Sequence, residues 1–233
     1  VNTGWEVALG YNDRWGDWSF GVQANLSDVI NEIVDMKGTY GTSGVIRNQE
    51  GSSINSLYLL NCLGFVQTQA QADWVNANCP QYGQITKPGD LVYEDVNLDN
   101  KIDDNDKKIV GSLIPRYTYG LTLNVGWKGI NLSAQFQGVG KANAYISGAY
   151  TQPCVSGGTF QKSHLDNWTP ENTDAKYPRL SYQSDLNKKV STFWMASGAY
   201  CRLKNLQLSY TFPKKIVKAM KIKGLMVYAN ATN

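Results

Sequence analysis

Little in these 233 residues points to bond-making chemistry. There is one histidine, His164, and although Ser163 and Asp166 lie close to it in the chain, a Ser-His-Asp relay depends on spatial geometry that loop neighbours rarely provide. The reading is of a loop histidine and no enzyme. The four cysteines, Cys62, Cys79, Cys154 and Cys201, lack CxxC spacing, which argues against a zinc site. No run of eighteen apolar residues occurs, so a helical membrane span is excluded. A net charge of +3 indicates neither a nucleic-acid partner nor an anionic surface. Carboxylates are numerous only between Asp95 and Asp106, so no glycosidase pair can be singled out. Helical periodicity is slight. The one basic cluster, Lys214, Lys215, Lys218, Lys221 and Lys223 after Pro213, reads as a solvated rim.

What the chain does have is alternation. From Tyr117 to Trp127, apolar Tyr117, Tyr119, Leu121, Leu123, Val125 and Trp127 interleave with Thr118, Gly120, Thr122, Asn124 and Gly126. After Lys128-Gly129 the pattern resumes through Ile130, Leu132, Ala134 and Phe136, which predicts a hairpin with a two-residue turn. Trp5–Asn12 and Trp18–Leu26, joined through residues 13–17, read the same way, as do Tyr200–Phe212 and Leu225–Asn233. About six strands are expected.

Charge placement distinguishes two kinds of sheet. The solvated face of a soluble sheet normally carries Lys and Glu, but the polar face here is nearly uncharged apart from Glu6. An outer-membrane barrel turns its apolar face to lipid, where a mid-depth Lys or Arg costs about 2–4 kcal/mol, and its polar face to a wet lumen. The fold class expected is therefore all-β, part of a large antiparallel transmembrane barrel with long extracellular loops. Trp and Tyr gather at membrane interfaces, and two belts are expected: Tyr11, Trp15, Trp18, Trp127, Tyr210 and Phe212 at one rim, Trp5, Tyr117, Tyr119 and Tyr200 at the other. The runner-up is a secreted soluble β-sandwich that binds glycans and holds a structural calcium.

Connection lengths set the expected organisation: a barrel hairpin over 1–27, a long extracellular loop over 28–115, a hairpin over 116–138, a second long loop over 139–199, and strands with a short periplasmic turn over 200–233. No signal peptide opens the chain and six strands cannot close a large barrel, so it reads as part of a longer polypeptide. Cys62 and Cys79 share the first loop, where an oxidising setting permits a bridge; bridged and free thiols both fit the sequence.

Residues 95–106 match a twelve-residue calcium loop, with oxygen donors from Asp95, Asn97, Asp99, Asp103 and Asp106, a backbone carbonyl from Lys101, and apolar Ile102 at the eighth place. Asn100 stands where glycine is usual, and Asp106 is shorter than the usual Glu. The expected ligand is structural Ca2+. A dockerin-like module would need a second copy of the loop, and none is present. Trp74, Tyr82, Tyr145, Tyr150 and Trp194 in the long loops are candidate stacking surfaces for substrate, although loop packing is the commoner role of such rings.

Seven segments taken in order carry a family resemblance: Lys87–Asn97, the acidic loop itself, Ile114–Gly120, Phe136–Gly140, Trp168–Asn172, Tyr177–Leu180 and Leu203–Leu206. Together they resemble the C-terminal part of the SusC/RagA-type TonB-linked outer-membrane transporters of Bacteroidetes. The resemblance implies a 22-stranded barrel plugged by an N-terminal domain, capped by a SusD-like surface lipoprotein and energised through the TonB complex. It also implies import of oligosaccharides or oligopeptides at the cell outer membrane.

Overall fold

The computed structural model describes residues 1–148, 152–153, 155, 160–182 and 184–233. In chain order the strands are β1 (Asn2–Trp15), β2 (Trp18–Asn31), β3 (Gly41–Ser43), β4 (Ile46–Asn48), β5 (Ser56–Leu60), β6 (Cys62–Phe65), β7 (Leu91–Tyr93), β8 (Lys107–Ser112), β9 (Arg116–Trp127), β10 (Ile130–Lys141), β11 (Asn143–Tyr145), β12 (Met195–Ser197), β13 (Tyr200–Thr211) and β14 (Met226–Thr232). Two helices accompany them, α1 (Gln69–Asn78) and α2 (Lys214–Ala219). The chain divides into two compact units, one of residues 1–32, 114–142 and 197–233, the other of residues 33–113 and 143–196.

The first unit is a six-stranded antiparallel wall in the order β1-β2-β9-β10-β13-β14, a meander without crossover. Lys128 and Gly129 both have positive φ, 47° and 91°, as the favoured two-residue hairpin turn requires. The first hairpin turns more tightly than the expected connection through residues 13–17. Asp13, Arg14 and Trp15 stay in β1, Trp15 pairs with Trp18, and only Gly16-Asp17 turns. Strand β2 also runs past its expected end to Asn31, and Arg116 grips Asp28 there with Nε and Nη2 on the two carboxylate oxygens.

Register aligns the side chains into rows. Tyr11, Val22, Leu123, Ala134, Leu206 and Ala231 form one apolar row, and Asn12, Gly21, Asn124, Ser133, Gln207 and Asn230 form the polar row beside it on the opposite face. The apolar face is uncovered: Leu9 is 70% exposed, Tyr11 63% and Trp15 82%. A contiguous greasy face of this size needs lipid or a second layer. Among the described residues the wall's apolar side chains remain exposed rather than tucked between two layers, unlike the arrangement of a β-sandwich. The six strands form an open sheet with β1 and β14 at its edges.

One irregularity reorders the wall. Gln135 pairs with Asn205 but Phe136 pairs with Leu203, so Lys204 is bulged out. A single extra residue reverses alternation beyond it. Leu203 and Cys201 therefore share the apolar face, while Arg202 and Tyr200 share the face of Gln137 and Val139. The Arg202 guanidinium lies 4.6 Å from the Tyr200 ring centroid. Tyr200 thus leaves the expected lipid-facing belt, because strict alternation was carried through a bulge. At the other rim Trp18 stacks on Trp127 at 5.7 Å, and Tyr210 meets Phe212 edge-on at 4.9 Å.

The second unit folds around Leu60, Leu91, Tyr93 and Ile102, against which Cys62, Phe65, Cys79, Tyr82 and Phe193 pack. Helix α1 starts at a capping box, in which Thr68 Oγ1 accepts from Gln71 N while Gln71 Oε1 accepts from Thr68 N, and it buries Ala72 and Val75. Strands β5 and β8 pair antiparallel, as do β6 and β7.

Candidate functional site

The acidic loop is tightly wound. Asp95 Oδ1 accepts from Leu98 N at 2.7 Å and its Oδ2 from Asn100 N at 2.8 Å. Asn97, Asp99 and Asp103 each accept from the backbone N–H two residues on, at 3.0, 3.2 and 2.8 Å. Leu98 and Asn100 are left-handed, at φ 59° and 60°. Asn tolerates that conformation readily, whereas a leucine there is uncommon. Asp106, fully buried, accepts from Val96 N at 3.0 Å on Oδ1 and from Asp103 N at 2.8 Å on Oδ2.

This winding gathers the donor set of a hard cation on one short loop, and the residue types fit Ca2+. As placed, however, no three Asp, Glu, His or Cys side chains converge on an ion position among the described residues. The Lys101 ammonium stands among them instead, 3.0 Å from Asp103 Oδ2 and 3.5 Å from Asp99 Oδ2. Those two carboxylates raise the Lys101 pKa, Asp103 foremost.

Ile102 anchors the loop. Its side chain is in the core, its N–H donates to Pro80 O at 3.0 Å, and its carbonyl accepts from Tyr82 N at 2.9 Å. The segment 80–82 thus provides a backbone edge for a single loop, so no second copy is required to order it. Tyr82 donates its hydroxyl to Asp104 Oδ1 at 2.8 Å, and Lys189 Nζ lies 4.1 Å from its ring centroid. Burial first, and then this hydrogen bond, push the phenol pKa upward.

A second constellation joins three of the recognised segments. Asp90, fully buried, receives Arg179 Nη2 at 3.0 Å, Lys87 N at 2.9 Å and Asn187 Nδ2 at 2.9 Å, with Arg179 Nε 2.7 Å from Oδ1. Gly89, at φ 84°, packs where any Cβ would strike the Trp168 ring and Arg179, and its carbonyl accepts from Arg179 N at 2.9 Å. The segments around Gly89, Trp168 and Arg179 therefore form one clasp.

The stacking candidates separate. Trp74 is 63% exposed on α1, beside an open apolar cleft of about 450 Å³ lined by Phe65, Val66, Ala70, Val75 and Val92. Tyr82 is held as described above, and Tyr145, in β11, is half-buried. Trp194 takes the commoner packing role: it is 6% exposed, donates Nε1–H to Asn187 O at 3.1 Å and packs on Phe193. Tyr150 and Cys154 lie outside the described residues. Buried His164 accepts from Gln161 N at Nδ1 and meets the Tyr177 ring edge-on at 5.0 Å, a packing role. Cys62 and Cys79 are free thiols rather than a bridge, and burial pushes Cys62 up to about 11.

An exposed apolar face backed by a sparsely charged polar face, on antiparallel strands joined by tight turns, is the pattern of an outer-membrane barrel wall. No protein-family profile matches the chain. Its sequence relatives include TonB-dependent receptor P26 of Formosa agariphila, 26% identical over all of the chain and 24% of the receptor. TonB-dependent receptor P3 of the same organism is 25% identical over 79% of the chain. Among solved structures, chains of the RagAB peptide transporter and of the RagAB peptide importer in its closed-closed state align over the whole chain and 25% of theirs, at TM-scores of 0.73 and 0.72 and identities of 22% and 23%. The chain is similar in sequence to TonB-dependent receptors and in fold to the RagAB chains, and it spans about a quarter or less of the length of the proteins it matches.

Proposed function

We propose that this segment supplies barrel wall and outer loops to a TonB-dependent outer-membrane importer of oligopeptides or oligosaccharides that works with a SusD-like lipoprotein. The observation that carries the reading is the pair of faces on the wall: Leu9, Tyr11, Trp15 and their row neighbours exposed on one side, and Asn12, Asn124, Ser133 and Gln207 on the other. Lipid suits the first, because apolar surface gains by leaving water at about 25 cal/mol per Å². A wet lumen suits the second.

Likeness to a peptide importer favours peptides among the cargo classes. On this reading, cargo is held between the lipoprotein and the outer loops, with exposed Trp74 as a stacking surface. It then passes the neutral polar wall when the plug is displaced by work transmitted through TonB. A sparsely charged, amide-rich wall suits passage: each Asn or Gln offers both donor and acceptor and holds no charged group tightly. Ca2+ is proposed as a structural ligand of the loop 95–106, held by Asp95, Asn97, Asp99, Asp103, Asp106 and the Lys101 carbonyl once the Lys101 ammonium swings away.

Purification from detergent-solubilised outer membranes tests the importer reading. The full-length protein should co-purify with a surface lipoprotein, and mass spectrometry of the complex should find trapped oligopeptides. Recovery from the soluble fraction, without lipoprotein, would end the proposal.

A further inference from the structure

The modest net charge conceals one strongly polarised turn. Between Thr211 and Met226 the wall reverses through α2, and Lys214, Lys215, Lys218, Lys221 and Lys223 all stand exposed there. No Asp or Glu follows Asp185 in the sequence. None of the five lysines has an ion-pair partner among the described residues. Ile216, Met220 and Ile222 alternate with them and are 47%, 55% and 41% exposed, while Val217 is buried.

The turn sits at the tight-turn rim of the wall. Thr211 N donates to Gly129 O at 2.8 Å, beside the β9–β10 turn, and Phe212 N donates to Leu225 O at 3.0 Å. This is the end that carries the stacked Trp18 and Trp127 and the Tyr210–Phe212 pair. Lys128 on the neighbouring turn, 5.3 Å from the Trp127 ring centroid, is by contrast paired with Asp17 at 3.4 Å. Five uncompensated cations repel one another, and exposed Ile and Met gain nothing in water. A membrane interface relieves both: phosphates neutralise the ammonium groups, and the apolar side chains enter the acyl boundary.

We propose that the α2 turn is a seat for anionic phospholipid headgroups in the leaflet that meets the tight turns. Lysine recognises the phosphate as a point charge, and the aromatic rim beside it sets the depth. The proposal rests on the reading of the wall as part of an outer-membrane barrel.

The test uses the full-length transporter, reconstituted in vesicles of phosphatidylethanolamine with and without phosphatidylglycerol, with retained lipid identified by native mass spectrometry. The wild type should retain phosphatidylglycerol preferentially, and replacing all five lysines with Gln should reduce that preference roughly tenfold or more. Raising salt on the wild type should weaken it as well. Equal retention of the two lipids by the wild type, an unchanged preference after the Lys→Gln replacements, salt-insensitive capture, or binding of lipopolysaccharide in place of phospholipid would each overturn the proposal. If the fivefold variant does not insert, Lys221→Gln with Lys223→Gln and the wild-type salt series decide it. A wild type that shows no heat-modifiable barrel band fails at the barrel reading instead, which separates the two outcomes.

Discussion

Asp90 and Arg179 are 89 positions apart in the chain and meet as an ion pair whose carboxylate is fully buried. The two residues come from different loop segments, and Asn187 and the Lys87 N–H saturate the remaining carboxylate positions. Removing one partner of such a pair leaves a buried charge without compensation. Arg179→Ala in the full-length protein is therefore expected to destabilise the loop unit by about 3–5 kcal/mol. Hydrogen exchange across residues 87–91 and 177–187 should rise sharply, and unchanged protection would contradict the role given to the clasp.

The two faces of β13 allow a comparison between adjacent residues. Leu206 lies in the apolar row and Gln207 in the polar row. Leu206→Arg should cost about 2–4 kcal/mol on unfolding from lipid vesicles, as expected for a cation at mid-depth on the lipid face. Gln207→Arg should stay within about 0.5 kcal/mol of wild type, the usual range for a surface change. Equal costs would remove the distinction between lipid and lumen.

The acidic loop should respond to Ca2+ and to pH. Calcium at a hundredfold excess over its dissociation constant should stabilise the full-length protein by about 2.7 kcal/mol, an effect that Asp99→Ala or a chelator removes. Asp103 is held below the usual carboxylate range, first by the Asn105 N–H and then by Lys101. A lowered folded-state pKa means that its contribution is complete above the ordinary Asp value of about 3.9 and is lost as pH falls through the lower folded value. Loop order, followed by exchange at Leu98 and Asn100, should therefore hold at neutral pH and fail in acid. Loss on raising pH through neutrality would have the wrong sign.

With its thiol at about 11, Cys62 should be nearly inert in the folded protein. Roughly one molecule in a thousand carries the thiolate at about pH 8. Iodoacetamide should modify Cys62 only after unfolding, and non-reducing peptide maps should contain no Cys62–Cys79 crosslink. A native crosslink there would refute the free-thiol arrangement.

How much was legible differs by region. The strands, the Lys128-Gly129 turn and the acidic loop were readable because their signals are local: a period of two, a positive-φ dipeptide, and oxygen donors at fixed offsets. The bulge at Lys204 was not, and with it went the facing of Tyr200, since alternation across Tyr200–Thr211 looks regular until β10 sets the register. Without the bulge, Arg202 would stand with Leu206 and Leu208 on the apolar face. Which of the loop aromatics would pack and which would stay exposed was not legible, because a tryptophan in a long loop carries no sign of whether a core awaits it: Trp194 is buried and Trp74 is not. The clasp was visible only as separate motifs around Gly89, Trp168 and Arg179, without a hint that they touch.

By itself, then, the sequence determined the alternating strands, their tight turns and the sparsely charged polar face, because each is encoded within a dozen neighbouring residues. The tertiary structure alone decided that β2 pairs with β9 and β10 with β13 across long connections, that one extra residue turns Arg202 away from the apolar face, and that Asp90 meets Arg179. The reason is physical: strand pairing and burial are settled by contacts between remote segments, whose free energy depends on the geometry of both at once.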